Sequence, residues 1–202
     1  MTGLLQKDLY LTRSSLLIVL PTFLVIGIGI SVLSTTWVLT VLSTVMLGMM
    51  AISTVQADKS SGWQQFSGVL PLSRAAVVGE KYLFYLLLSA AGLLIGLVVG
   101  TAASLLSGRG DLNELGLYLT ISVSMALLSG GVALPVNILF RAEISMLGIL
   151  LAYPLSAGVF ILLNLLIGQR EAVGVVASVL GVILYTLSWY LTGRMMARRD
   201  LT

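Results

Sequence analysis

The sequence predicts an all-α integral membrane protein with about six transmembrane helices, each near the ~20 residues a crossing needs. Three observations carry that expectation. Only 9% of the 202 residues are charged, where a soluble domain has roughly 25%. Mean hydropathy is +1.07. No charged residue occurs from Ser14 to Ala57. A soluble chain of this size buries only about 70% of its surface on folding, so the remaining apolar surface has to face lipid.

Charges punctuate the helices in order. The uncharged stretch after the N-terminal segment 1–13 is twice one span, so it divides into helices at about 14–33 and 38–57. Ser34-Thr35-Thr36-Trp37 is the turn between them, with Trp37 as an interfacial anchor. A polar segment, 56–81, holds Asp58, Lys59, Arg74, Glu80 and Lys81 around Pro71. The third helix covers about 82–106, and the turn-rich run from Ser107 to Glu114 closes it. The fourth covers about 115–140 and ends at Arg141-Ala142-Glu143. The fifth covers about 144–167, ending at Gly168-Gln169-Arg170-Glu171, and the sixth about 172–193 before a basic tail. No repeat or linker divides 1–202, which is expected to be a single transmembrane domain. The first apolar run is too long for a signal-peptide core and reads as a retained helix.

Orientation follows from the loops. One side holds Lys7, Arg13, Lys59, Arg74, Lys81, Arg141, Arg194, Arg198 and Arg199; the other holds only Arg109 and Arg170. The positive-inside bias puts both termini and segment 56–81 in the cytoplasm.

Composition also excludes chemistries. Without His or Cys there is no thiolate or imidazole zinc site and no Ser-His or Cys-His nucleophile. The helices show no ionisable side chain away from their ends, which argues against ion-coupled carriers and intramembrane proteases. There is no phosphate loop, so ATP and its magnesium, if they drive the protein, bind another chain. No catalytic, metal or cofactor residue is expected here. The basic residues are spread over short loops and do not suggest nucleic acid.

The positive signal lies in the cytoplasmic segment. Trp63, Phe66 and Leu70 fall at i, i+3, i+7, one face of a short helix that Pro71 stops. Ser73 is placed to cap the helix that follows. Such a helix suits a hydrophobic groove on a partner or the lipid interface, and periodicity does not choose between them. Gly92, Gly96 and Gly100 repeat at four-residue spacing on the third helix, as do Gly148, Ala152 and Ser156 on the fifth. Both stripes allow close helix approach, within one chain or between two.

Several of these pieces together resemble the ABC-2 class of ABC exporter permeases, particularly the small six-helix permeases of bacterial peptide exporters, of the phenol-soluble-modulin exporter kind. The matching pieces are Leu5-Gln6-Lys7-Asp8-Leu9, Asp58-Lys59-Ser60-Ser61-Gly62-Trp63, Leu70-Pro71-Leu72-Ser73-Arg74 and Glu80-Lys81-Tyr82, with the short Arg141 loop and the basic tail. The resemblance implies the ABC-2, type V exporter-like permease fold in a bacterial cell membrane. It implies two copies of an ATPase subunit docked at a coupling helix, with Trp63, Phe66, Leu70, Asp58 and Lys59 as contacts. It also implies a second permease chain, identical or closely related, and amphipathic peptide cargo. Candidate lumen or dimer residues are Gly148, Ala152, Ser156, Asn137 and Asn164, with Ser122 and Ser124 as lumen hydroxyls. Two other classes stay open: a substrate-capture subunit of a vitamin importer, and a bacteriocin immunity protein embedded in the membrane.

Overall fold

A computed structural model describes residues 2–33, 36–67, 73–107 and 112–198. The described elements are α1 (Thr2–Leu33), α2 (Val38–Ser60), the short α3 (Trp63–Phe66), α4 (Arg74–Ser107), α5 (Leu112–Leu139), α6 (Ala142–Ile167) and α7 (Arg170–Arg198). Six of them are long and apolar enough to cross a membrane. No strand occurs among the described residues.

Two starts differ from the expectation. The first membrane helix begins at Thr2 rather than near residue 14, and the third at Arg74 rather than near residue 82. Hydropathy marks only the part of a helix that lies in hydrocarbon. The added turns carry charged residues among apolar ones and are held by ion pairs between the helices, which a hydropathy reading does not detect. At 34 residues α4 is about 51 Å long, against a hydrocarbon core of about 30 Å, so it projects beyond the apolar layer. Ser73 caps it as expected, accepting the Ala76 N–H at 3.2 Å. The α6–α7 turn is two residues long. Gly168, at φ 72°, closes α6 in the left-handed conformation, and its N–H donates to the Asn164 carbonyl.

α2 packs most extensively on α4 and α5 on α7, while α5 also contacts α2 and α6. The first pairing is close because α4 presents glycines. A Cβ on Gly92 would lie 2.5 Å from the Ser43 carbonyl oxygen, and one on Gly96 would lie 2.6 Å from Thr40 Cα. This stripe therefore serves packing within the chain. Around it Ile52, Val55, Tyr82, Tyr85, Leu134 and Tyr185 form the core. Tyr185 donates to the Tyr82 carbonyl at 2.7 Å, and Tyr85 to that of Ala126 at 2.8 Å. Thr40, Ser43, Thr44, Ser122 and Ser129 return their hydroxyls to carbonyls three or four residues back. That satisfies each hydroxyl where no water competes.

Burial is uneven. α2 is 61% buried over its apolar window, while α1 is 11% and α6 17%. The last two lie on the periphery of the bundle.

Candidate coupling face and buried ion cluster

The α2–α4 connection combines an aromatic pair, one ring exposed and one half-buried, with a buried group of charges. After Ser60 the chain turns at Ser61-Gly62, with Gly62 at φ 72°, and enters α3. Phe66 is 54% exposed. Trp63 is half-buried, its ring centroid 5.6 Å from that of Phe66. The Lys7 ammonium from α1 sits 4.6 Å from the Trp63 ring centroid, within range of a cation–π attraction. Leu70 and Pro71 lie outside the described residues, so the helical face of the expected docking segment is represented by Trp63 and Phe66.

The same Lys7 leads into an ion cluster. Its Nζ lies 2.5 Å from Asp58 Oδ1 and 3.1 Å from Asp8 Oδ1. Lys81 Nζ lies 2.5 Å from Asp8 Oδ2 and 2.6 Å from Asp58 Oδ2. The Thr54 hydroxyl donates to Asp8 Oδ2 at 3.1 Å. Glu80 is buried beside them, with Oε2 3.9 Å from Lys81. Two ammonium groups thus face three carboxyls at the joint of α1, α2 and α4. Charges in so apolar a setting persist only when paired and hydrogen-bonded, and each carboxylate of Asp8 and Asp58 meets both lysines.

Asp58 and Lys59 are both engaged inside the chain. Asp58 belongs to the cluster. Lys59 donates to the Phe140 carbonyl at 2.5 Å and to Ser145 Oγ at 2.9 Å, tying the end of α2 to the α5–α6 turn. That turn otherwise leaves helix-end carbonyls without intrahelical partners, and a lysine is suited to them.

The lumen and dimer candidates divide in the same way. Gly148 is packed against Val136 of α5. Ala152 and Ser156 are buried, and the Ser156 hydroxyl donates to the Ala152 carbonyl. Asn137 is buried and donates from Nδ2 to the Ala133 carbonyl at 2.9 Å. Ser122 and Ser124 are also enclosed. In a single chain the Gly148–Ala152–Ser156 stripe faces inward, and only Asn164 lies on the open side. The open face of α6 carries Leu147, Leu150, Leu151 and Leu165.

Lys7-Asp8, Asp58 and Glu80-Lys81 stand in the sequence as separate short motifs, and no local pattern brings them together. A signal was present, because three helices each place charges at the same membrane side.

The fold and this polar joint define a multi-pass membrane protein with a charged joint at one end of its helices. The family model described as ABC-2 family transporter protein matches residues 3–197. The chain belongs to that family, whose members are membrane subunits of ABC transporters, and membership implies an ABC ATPase partner. No curated protein and no solved structure matches the chain.

Proposed function

We propose that the chain is the permease of an ABC exporter in a bacterial cell membrane, with both termini and α3 on the cytoplasmic side. A second permease chain, identical or closely related, pairs with it, and two ATPase subunits dock at α3. Binding and hydrolysis of ATP with magnesium occur in those subunits. The cargo is amphipathic or hydrophobic, with peptides the favoured class from the resemblance described above. The observation that carries this reading is the pair of half-buried Trp63 and exposed Phe66 at the connection of two long helices in a chain of the ABC-2 family. Large aromatics of this kind cover themselves with a partner.

The route for work follows from the contacts. Force on Trp63 reaches Lys7 through its ring face and then the Asp8–Asp58–Lys81 joint, moving α1, α2 and α4 together. The open face of α6 supplies the apolar surface for pairing of two permeases.

The test is co-purification of the ATPase subunit with variants. Truncating an interfacial aromatic anchor costs about 2 kcal/mol or more, roughly a thirtyfold weakening. Trp63→Ala with Phe66→Ala should leave an inserted, folded chain that loses its ATPase, with transport falling in step. Lys59→Ala should keep the ATPase. Wild-type ATPase stoichiometry in the aromatic double variant would make α3 a membrane-surface element instead.

A further inference from the structure

α1 has two unlike faces. Asp8, Thr12 and Phe23 are buried against the bundle. The opposite face is open, with Tyr10 73%, Leu17 69% and Val25 73% exposed. On that side lies a cavity of about 420 Å³ lined by Leu9, Tyr10, Arg13, Leu16, Leu17 and Leu20. The residues recur at i, i+1, i+4, i+7, i+8 and i+11, so one stripe of the helix lines it. Arg13 is its single charged group and is exposed. It has no ion-pair or hydrogen-bond partner among the described residues, whereas Lys7, Lys59 and Lys81 are all engaged. Asp8, the nearest carboxylate along the helix, is turned inward and held by both cluster lysines.

The geometry points to a binding site for one anionic phospholipid on the outer face of α1, with Arg13 receiving the phosphate and the leucines receiving an acyl chain. A guanidinium next to hydrocarbon is costly unless it reaches the interface or a counter-charge. A phosphate meets it with two parallel hydrogen bonds. Tyr10, one turn before Arg13, adds a hydroxyl with an apolar ring at headgroup level. Beyond Arg13 the stripe continues through Leu17 and Leu20 to the exposed Leu24. Eleven residues rise about 16 Å, close to half of a hydrocarbon core about 30 Å thick. The apolar run is thus one leaflet deep. A zwitterionic headgroup brings its own cation to the phosphate and competes with Arg13; an anionic one does not. A peptide is a poorer occupant, because a fully hydrogen-bonded helix face offers no backbone partners.

The experiment is native mass spectrometry of the purified chain, titrated with phosphatidylglycerol, with phosphatidylcholine of the same acyl chains, and with inorganic phosphate. The wild type should retain one phosphatidylglycerol per chain at least about tenfold more tightly than phosphatidylcholine, tenfold being the discrimination of one good charge-assisted contact. Inorganic phosphate should not displace it. Arg13→Gln should reduce phosphatidylglycerol to the phosphatidylcholine level, and Arg13→Lys should restore part of the preference. Arg141→Gln, at an exposed arginine outside the cavity, should change nothing. Equal retention of the two lipids by the wild type, or full retention by Arg13→Gln with an unchanged melting curve, would overturn the site. Displacement by inorganic phosphate would reduce it to an anion contact without a lipid.

Discussion

Lys81→Met probes the ion cluster most directly. The variant keeps the length and apolar stem of the side chain but removes the ammonium that lies 2.5 Å from Asp8 Oδ2 and 2.6 Å from Asp58 Oδ2. Lys81 is 6% exposed in its side chain, and Asp8 is fully buried, so water cannot replace the lost cation. Only Lys7, 24% exposed in its side chain, would still oppose the two aspartates. Removing one partner of a buried pair costs about 3–5 kcal/mol. At about 2–4 °C per kcal/mol for a chain of this size, the melting temperature should fall by about 6–20 °C. Thermal unfolding of the purified chain in mild detergent, followed by tryptophan fluorescence, measures the shift. Lys7→Met should cost less, because a partly exposed pair contributes about 0–1 kcal/mol. Asp8→Asn combined with Lys81→Met should be less damaging than the sum of the single variants, by about 0.5–3 kcal/mol of coupling. If Lys81→Met melts like Arg141→Gln, the cluster is not a structural joint and the route from Trp63 into the helices fails with it.

Other outcomes are open to simple assays. A cysteine placed at Asn113 should react with an impermeant thiol reagent in intact cells while one at Ser61 should not; the reverse pattern would invert the topology. Gly96→Leu should prevent α2 and α4 from closing, since even a Cβ there would press on Thr40 Cα, and a chain that purifies with wild-type melting would contradict that packing. Tyr185→Phe removes the hydroxyl that donates to the buried Tyr82 carbonyl, which should cost about 1 kcal/mol and lower the melting temperature by about 2–4 °C.

The six spans were legible because charge punctuates this sequence and apolar length sets the helices. The Ser73 cap and the Gly168 turn were legible because each rests on a local rule about one or two residues. The Gly92–Gly96 stripe announced a close approach, and the structure identifies its partner as α2. The added turns of α1 and α4 were not visible, because their stability comes from Asp8 meeting Lys81 across 73 positions, and no periodicity reports a pairing so distant. Asp58 and Lys59 stand in the sequence as coupling contacts beside an aromatic pair, and only the packing of α1, α4 and the α5–α6 turn shows what they touch within the chain. The side of α6 that faces inward was undecided for the same reason: a small-residue stripe states that something comes close and not which helix it is.

The joint of α1, α2 and α4 also sets an order of assembly. Asp8 and Asp58 leave the ribosome before Lys81 does, so the first two spans exist for a time with two carboxylates and Lys7 as their shared cation. Lys81 follows Asp58 by about 23 residues, which at about 5–20 residues per second is a delay of one to several seconds. During that interval the α1–α2 hairpin carries a carboxylate that membrane interior would reject, and it has reason to stay near the aqueous boundary until α4 arrives to neutralise it. The third span then acts as the latch of the nascent bundle, and a chain halted before residue 81 should remain exposed to membrane proteases where one halted after Ser107 is protected.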